Sequence, residues 1–358
     1  MEMDIIKVIL PSVVAFITGM FFTPILTRFL YKHKMWKKKA KTVSIDGGGT
    51  PIFNSLHADR EVSTPRMGGI VIWISIIITT LLFWFLGNLF SGSIFSKLDF
   101  LSRDQTWIPL SVLLLGALVG LIDDVLEIKG IGGNYAGGLS LKKRLFFVGI
   151  ISLLISLWFY FKLELSSISV PFMGHIDFGL LFIPLFVLIT LFIYSGGVID
   201  GIDGLAGGVF ASIFAAYAGI AFFQNQINLA AFCTVVVGSI LAFLWFNIPP
   251  ARFYMSETGS MALTITLAIV AFMTDEMGNG IGIAVLPIIA LPLFITSLSV
   301  IIQVISKKFR NGKKVFLVAP VHHHFEAKGW PAYKVTMRYW VVGLVCAILG
   351  VILALIKI

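Results

Sequence analysis

Charged side chains are scarce in this sequence. Asp, Glu, Lys and Arg together make up 13% of its 358 residues, 58% of the residues are hydrophobic, and the mean hydropathy is +0.97. Soluble domains carry about 25% charged residues. The shortage of charge therefore excludes an ordinary water-soluble globular protein, and it indicates that a lipid bilayer surrounds most of the chain.

Cysteine is nearly absent as well. Cys233 and Cys346 both lie inside apolar runs, which excludes a disulfide framework and predicts that both are packing residues. The first apolar run has no small-residue cleavage site, so we interpret it as a retained membrane span rather than a signal peptide. No internal repeat is visible, and this disfavours transporter folds built on inverted repeats.

The sequence does contain ten apolar runs that can cross ~30 Å of hydrocarbon as helices. They predict an all-α integral membrane protein that forms one polytopic domain over residues 1–358. The ninth run contains Pro287 and Pro292 and should be kinked or broken. The stretch SISVPFMGHIDFG at 167–179 predicts a short external hairpin. The ten predicted spans are 5–30, 68–88, 107–126, 145–163, 178–195, 204–223, 229–247, 259–274, 281–306 and 337–357.

Basic residues are concentrated on one side of these spans. Of the 27 Lys and Arg residues, 21 fall in loops that follow odd-numbered spans, and three fall in the opposite loops. The positive-inside rule then makes the odd loops cytoplasmic and places both termini outside the cytoplasm. The same positive face would attract anionic lipid headgroups and anionic substrates, and we expect both.

Every concentrated polar motif also follows an odd-numbered span. These motifs are the pair Asp123-Asp124, VIDGIDGLAGG at 198–208, NIPPARFYMSETGS at 247–260 and APVHHHFEAKGW at 319–330. A transporter more often keeps its ionisable residues near the middle of the bilayer. We therefore interpret the chain as an enzyme with an active-site cleft at the cytoplasmic boundary of the membrane.

The acidic residues of these motifs suit a metal–phosphate complex. Asp123, Asp124, Asp200, Asp203 and Glu257 supply the hard oxygen ligands that Mg²⁺ prefers, with water and phosphate completing its shell. Structural explanations stay open for both aspartate pairs. Asp123 and Asp124 could be a solvated helix end, and Asp200 and Asp203 could cap a turn. If their segment is helical, Asp200 and Asp203 share one face.

The aromatic and imidazole side chains have alternatives too. Tyr254 could stack on a nucleobase or belong to an interfacial aromatic belt. His322, His323 and His324 are half of the six histidines of the chain. Zn²⁺ binding is disfavoured, because consecutive histidines cannot all point at one metal. We interpret the triplet as an ordered loop that presents imidazole donors to phosphate.

Taken together, the motifs resemble the phospho-N-acetylmuramoyl-pentapeptide-transferase family, within the polyprenyl-phosphate N-acetylhexosamine-1-phosphate transferases. The resemblance covers essentially the whole chain, and the histidine motif is its most specific part. The matching pieces are MGG at 67–69, LIDDV at 121–125, DGIDGLAGG at 200–208, the NxxPAxxxM frame at 247–255, GS at 259–260 and APVHHHFEAKGW.

The resemblance implies an Mg²⁺-dependent transferase of peptidoglycan synthesis in the bacterial inner (cytoplasmic) membrane. The reaction would move phospho-MurNAc-pentapeptide from its UDP carrier to undecaprenyl phosphate, giving lipid I and UMP. The bent ninth span would form a groove for the polyprenyl tail, a homodimer is implied, and no nucleic-acid partner is expected. The alternatives are a sister transferase that moves another N-acetylhexosamine-1-phosphate, and a non-catalytic lipid carrier or flippase.

The resemblance also implies roles for individual residues. Asp123 and Asp124 match the catalytic pair of the family, and Glu257 matches its metal-binding carboxylate, with Asp123 or Asp124 helping to hold the ion. His323 matches a position in the catalytic cleft. The implied substrate-binding residues are Asp200 and Asp203 in a nucleoside pocket, Asn247, Tyr254 beside the uracil, Gln303, His322, His324, and Lys142 or Lys143 near the diphosphate.

The chain departs from the usual pattern of the family at several of these motifs. Met255-Ser256-Glu257 replaces the usual MGD, and Gly197 stands where asparagine is usual. Arg66 stands where threonine is usual, and Glu61 lies about where a lysine is expected. These departures leave the reaction class intact, and they bear on donor choice and on sensitivity to nucleoside inhibitors.

Overall fold

The computed structural model describes residues 1–38, 49, 51–132, 137–171 and 173–356. This part of the chain folds into fourteen α-helices and one two-stranded antiparallel sheet. The helices are α1 (Glu2–Lys32), α2 (Pro51–Glu61), α3 (Ile70–Leu89), α4 (Ile94–Leu98), α5 (Trp107–Lys129), α6 (Leu141–Lys162), α7 (Phe182–Ser195), α8 (Leu205–Phe223), α9 (Ile227–Asn247), α10 (Ser256–Met273), α11 (Gly282–Ile289), α12 (Leu291–Phe309), α13 (Val321–Ala327) and α14 (Ala332–Leu355).

Ten helical segments of the described residues are long and apolar enough to cross a membrane, which confirms the predicted all-α membrane fold. They are α1, α3, α5, α6, α7 with its flanking turns (Gly179–Ile199), α8, α9, α10, α12 and α14. The ninth predicted span is broken as expected. It forms α11 and α12, which meet at Ala290, because Pro292 has no N–H to continue the hydrogen bonds of α11.

The predicted hairpin at 167–179 is also confirmed. Strands β1 (Ser167–Val170) and β2 (Gly174–Asp177) pair antiparallel. The buried carboxylate of Asp275 accepts backbone hydrogen bonds from Ser169 at 2.8 Å and Ile283 at 2.9 Å. It thereby ties the hairpin to the junction between α10 and α11, at the end of the bundle away from the polar motifs.

Helix α10 forms the centre of the bundle. Every residue in it except Glu257 is buried. Its closest partner is α5, where a Cβ at Gly120 would lie 2.2 Å from the Glu257 carbonyl oxygen and one at Gly116 would lie 3.0 Å from the Ala262 Cα. Small residues let membrane helices approach this closely. The last turns of α5 therefore lie against the first turn of α10.

The polar motifs collect at one end of the bundle, because the spans alternate in direction. This end contains the last turns of α5 and α9, the first turns of α8 and α10, and two short helices outside the spans, α2 and α13. The histidine triplet lies in α13, so the prediction of a loop for it was wrong; Pro320, at the N-cap position, starts a helix there. Cys233 and Cys346 are free and buried, as expected of packing residues.

Candidate functional site

The first part of the site is centred on Arg144, in the first turn of α6. Its Nη2 lies 2.9 Å from Asp123 Oδ2, and its Nη1 forms an ion pair with Glu257 Oε1. Asp123 is fully buried and also accepts the Leu139 backbone N–H at 2.5 Å, whereas the Glu257 side chain is 19% exposed. One guanidinium therefore holds together two carboxylates from different helices.

The basic residue beside these carboxylates is not one that the sequence predicted. Lys142 and Lys143 are exposed, and the next residue, Arg144, reaches the acids. Successive residues of a helix point about 100° apart, so only part of the Lys-Lys-Arg run can face inward. The only signal in the sequence was the run itself.

Asp124 has a different environment from its neighbour Asp123. Its Oδ2 accepts the Thr258 backbone N–H at 3.0 Å and the Thr258 hydroxyl at 2.6 Å, and its Oδ1 accepts the Glu257 N–H at 3.3 Å. The first N–H groups of a helix have no partner within it. Asp124, on α5, thus caps the N-terminus of α10, where a negative charge is also favoured by the helix dipole.

A second group of ion pairs lies behind Asp124. Arg66 Nε is 2.8 Å from Glu127 Oε2 and 3.7 Å from Asp124 Oδ1. Lys37 Nζ is 3.0 Å from Glu61 Oε1 and 3.1 Å from Glu127 Oε1. Arg66 and Glu61, two of the departures from the family pattern, therefore belong to one buried network joined through Lys37 and Glu127.

The departure at Ser256 has a backbone consequence. Ser256 adopts a positive φ of 60°, a left-handed conformation that favours glycine. The serine side chain adds a contact that glycine could not make, since its Oγ accepts the Met67 N–H at 3.3 Å. This contact ties the start of α10 to the segment that leads into α3.

The two aspartates at 200 and 203 hold the loop between α9 and α10. Asp200 accepts the Ser256 N–H at 2.8 Å, and Asp203 accepts the Ala251 N–H at 3.1 Å. Their segment is a turn rather than a helix, so they share this loop instead of a helical face. Burial raises the pKa of Asp200 to about 6, against the lowering effects of the Ser256 hydrogen bond and the Arg66 charge.

Asn247 is the last residue of α9, and Tyr254 lies in the loop that follows it. The Asn247 amide donates to the Phe253 carbonyl at 2.8 Å and accepts the Gly204 N–H at 2.9 Å. The Tyr254 carbonyl accepts the Gly68 N–H at 2.8 Å. Asn247 therefore joins the turn before α8 to the loop before α10. These two hydrogen bonds give Asn247 a structural role.

His322 is the unsatisfied member of the histidine triplet. It is fully buried, and neither of its ring nitrogens has a hydrogen-bond partner among the described residues. A Cβ at Gly201 would lie 2.5 Å from His322 Nε2 and 2.7 Å from His323 Nε2, so glycine is needed where this turn meets the imidazoles. Burial lowers the pKa of His322 well below its ordinary value, and the nearby His323 and His57 add to the effect. A neutral buried imidazole without a partner is the kind of group that a ligand satisfies.

His323 pairs on its other side with a carboxylate. Glu326 Oε2 lies 2.7 Å from His323 Nδ1 and 3.0 Å from His57 Nε2. Burial acts to raise the pKa of Glu326, but the hydrogen bonds of the two histidines outweigh it and lower that pKa to about 2. Neither His57 nor Glu326 was a predicted site residue, since nothing in the sequence indicates that α2 contacts α13.

Gln303 and His324 contact the backbone of the segment between α12 and α13. Gln303 Oε1 accepts the N–H groups of Val315 and Phe316, both at 3.0 Å, and its Nε2 donates to the Phe316 carbonyl at 2.9 Å. His324 Nδ1 accepts the Leu317 N–H at 3.1 Å. Both side chains therefore hold the backbone of this segment in place.

The structure therefore brings the predicted acids and imidazoles into one contiguous region. Asp123 is joined to Glu257 through Arg144, Asp200 binds the residue before Glu257, and the turn at Gly201 touches His322. Lys142 and Lys143 are the exceptions, since both side chains are exposed. Two carboxylates joined by a guanidinium, beside a buried neutral imidazole, suit the binding of a phosphorylated ligand together with a divalent cation.

Comparisons with known proteins find related sequences. Residues 106–275 match the sequence model described as Glycosyl transferase family 4. A phospho-N-acetylmuramoyl-pentapeptide-transferase of Chloroflexus aurantiacus is 32% identical over 99% of this chain and 91% of its own length. Its namesake in a Geobacillus species is 34% identical over 98% of this chain and 97% of its own. That of Listeria monocytogenes is 32% identical over 94% and 95%.

Proposed function

This chain belongs to the phospho-N-acetylmuramoyl-pentapeptide-transferase family, and on that premise we propose that it makes lipid I. It would transfer phospho-MurNAc-pentapeptide from UDP-MurNAc-pentapeptide to undecaprenyl phosphate and release UMP. The observation that carries this proposal is the guanidinium of Arg144, which holds Asp123 and Glu257 together inside the region that matches the glycosyl transferase family.

In phosphoryl transfer, the protein mainly positions the reacting groups and neutralises the charge of the phosphates. The acceptor phosphate has a second pKa of ~6 and is largely dianionic at neutral pH, so a general base adds little. Asp123 would orient the acceptor or the metal. Arg144, already between Asp123 and Glu257, would balance the charge of the incoming diphosphate. A route through an aspartyl-phosphate at Asp123 is compatible with this geometry.

Glu257 and Asp123 fit a magnesium ion. They offer carboxylate oxygens, which Mg²⁺ takes one or two at a time beside phosphate and water, and one guanidinium reaches both of them. A bound Mg²⁺ would supply charge neutralisation to the diphosphate. We leave Asp124 out of the ligand set, because both of its oxygens accept hydrogen bonds from the start of α10.

The nucleoside half of the donor would lie near the turn at 200–204. His322 would donate or accept a hydrogen bond there, since its ring nitrogens have no partner among the described residues. Tyr254 remains the candidate for stacking on uracil. Asp200, Asp203, Asn247, Gln303 and His324 would act chiefly by fixing the loops that form this pocket, given their hydrogen bonds to backbone groups.

The acceptor lipid would approach along α12. Its outer face exposes Ile295, Leu298 and Ile302, whereas its inner face buries polar residues such as Thr296 and Ser299. We propose that this face, below the bend at Ala290, holds the polyprenyl tail. The protein would work as a homodimer in the bacterial cytoplasmic membrane, with the basic end of the bundle in the cytoplasm.

A donor-comparison assay tests the function directly. Purified protein would be given undecaprenyl phosphate with UDP-MurNAc-pentapeptide or UDP-GlcNAc, and UMP release would be measured with and without EDTA. We expect release only with the first donor and only when Mg²⁺ is present. Preference for UDP-GlcNAc would establish the sister transferase instead, and absence of UMP release from either donor would favour a carrier or flippase.

A further inference from the structure

A cluster of candidate metal ligands lies on the histidine side of the site described above. His57 on α2 and His323 and Glu326 on α13 offer one ligand atom each, and these three atoms all lie within 4.8 Å of one another. We propose that His57, His323 and Glu326 form a transition-metal site of the Zn²⁺ class that fastens α2 to α13. The site would be separate from the magnesium position at Glu257.

The carboxylate oxygen lies near the distance from each imidazole nitrogen that a shared metal needs. Glu326 Oε2 is 2.7 Å from His323 Nδ1 and 3.0 Å from His57 Nε2. Zinc bonds of ~2.0–2.2 Å in a tetrahedral arrangement place ligand atoms about 3.4 Å apart. The carboxylate would therefore withdraw from each imidazole by about half an ångström, a change that side-chain rotation can supply without moving either helix.

The donor types select the class of metal. Two imidazoles and one carboxylate are a set found at zinc sites whose fourth position is open to water or a ligand. Mg²⁺ prefers oxygen donors throughout, and imidazole suits Zn²⁺ and its first-row neighbours. Three consecutive histidines cannot share one metal, which is why the sequence alone disfavours zinc. This restriction does not apply to the cluster, because only His323 comes from the triplet and the second imidazole comes from α2.

The surroundings of the cluster resemble a metal pocket rather than a solvated surface. The side chains of His323, Glu326 and His57 are 5%, 7% and 16% exposed. The Phe53 ring packs against both imidazoles, with centroids 4.9 Å from His57 and 5.0 Å from His323. An apolar wall of this kind limits access of water and keeps ligand side chains oriented.

Occupancy of this site would matter for the histidine side of the cleft. The other ring nitrogen of His323 faces the turn at Gly201, so a metal on Nδ1 would fix the orientation of the imidazole and the position of α13. It would also hold α2 over this end of the bundle. A metal that binds only the folded chain raises its thermal stability in proportion to the logarithm of metal concentration.

Metal titration of the full-length protein in detergent tests the proposal. The protein would carry a purification tag without histidine and be stripped of metal. Zn²⁺ would then be titrated against a chromophoric chelator, with excess Mg²⁺ present throughout. We expect about one tightly bound Zn²⁺ per chain, a rise in the thermal unfolding temperature on binding, and visible absorption typical of tetrahedral coordination when Co²⁺ replaces Zn²⁺.

Three variants locate the site. His57→Gln keeps a hydrogen-bond donor for Glu326 and Glu326→Gln keeps an acceptor, so both should fold, yet each should bind Zn²⁺ at least tenfold more weakly and lose the Co²⁺ absorption. His33→Gln is the matched control, because His33 is exposed and lies at the same end of the bundle. Tight binding that persists in His57→Gln, that disappears equally in His33→Gln, or that is absent from the unaltered protein would overturn the proposal.

Discussion

The carboxylate of Asp124 accepts the hydroxyl hydrogen bond of Thr258 at 2.6 Å and the backbone N–H of the same residue at 3.0 Å. A residue of α5 thus caps α10, which has no side-chain cap of its own. Its neighbour Asp123 faces Arg144 instead. The adjacent aspartates therefore have different roles, since Asp124 caps α10 and Asp123 pairs with Arg144. Mutations can separate these two roles.

Replacing Asp124 should mainly lower stability. Asp124→Asn removes the charge that α10 and Arg66 face and turns an amide donor toward existing donors, so we expect a loss of about 1–3 kcal/mol in the free energy of unfolding. Thermal unfolding in detergent measures it. Thr258→Val, which removes only the hydroxyl, should show a smaller loss. An unchanged unfolding temperature for Asp124→Asn would show that the cap is unimportant.

Replacing Asp123 should mainly lower activity. Asp123→Asn removes the carboxylate proposed to orient the acceptor or the metal, so UMP release should fall at least 100-fold, while binding of the UDP substrate stays nearly unchanged. Asp104→Asn is the control, since Asp104 is exposed and precedes the start of α5. Undiminished turnover of Asp123→Asn would refute the role proposed for this residue.

Arg144 should matter more than the two lysines beside it. Arg144→Gln breaks both ion pairs that join Asp123 to Glu257, and we expect at least a 100-fold loss of turnover. Arg144→Lys should recover only part of it, because an ammonium lacks the planar fork of the guanidinium. Lys142→Gln and Lys143→Gln should stay within about threefold of the unaltered enzyme. If a lysine variant loses more activity than Arg144→Gln, the assignment is wrong.

The raised pKa of Asp200 gives a pH dependence with a definite sign. Burial moves this pKa from 3.8 to about 6, so the folded state holds a proton between these pH values that the unfolded state releases. The ionised carboxylate therefore costs stability, fully above pH 6 and not at all below pH 3.8. Asp200→Asn should unfold at a higher temperature than the unaltered protein at pH 7.5, and at the same temperature near pH 4. A difference that is constant with pH would contradict this explanation.

The unusual residues Arg66 and Glu61 should compensate for one another. Arg66→Thr leaves Asp124 without its cation, and Glu61→Lys places a second ammonium beside Lys37, so each change alone should destabilise the protein. Together they keep two cations in the network, raise its net charge by one, and give Glu127 a new partner in place of Arg66. We expect the double variant to be about 0.5–3 kcal/mol more stable than the sum of the single effects. Thermal unfolding of all four proteins measures this coupling, and simple additivity would argue against a shared network.

Much of the architecture is predictable because the bilayer imposes it. The ten spans follow from length and hydropathy, the break before Pro292 follows from proline chemistry, and the meeting of the motifs follows from the alternation of the spans. What could not be predicted depends on contacts between helices. The orientation of Asp123 and Asp124 follows from the packing of α5 on α10, and the choice of Arg144 over Lys143 follows from the rotation of α6.

The contact of α2 with α13 could not be predicted from the sequence either, because it also depends on how helices pack. Nothing local marks His57 as a neighbour of His323 and Glu326, because His57 lies 269 residues before Glu326 in the chain. Likewise, Asn247 and Gln303 are predicted to bind the substrate, and the structure adds hydrogen bonds from their side chains to backbone groups that the motifs did not indicate. A polar residue in a binding motif can serve the motif by shaping it, and sequence patterns do not distinguish the two uses.

Gly120 has no side chain, yet it determines how closely the helices that contain Asp123 and Glu257 can pack. It is one helical turn before Asp123, and there is no room for even a methyl group between it and the carbonyl of Glu257. A larger residue here would wedge α5 and α10 apart and widen the gap that Arg144 spans. The separation of the Asp123 and Glu257 carboxylates therefore depends on the absence of a side chain at Gly120.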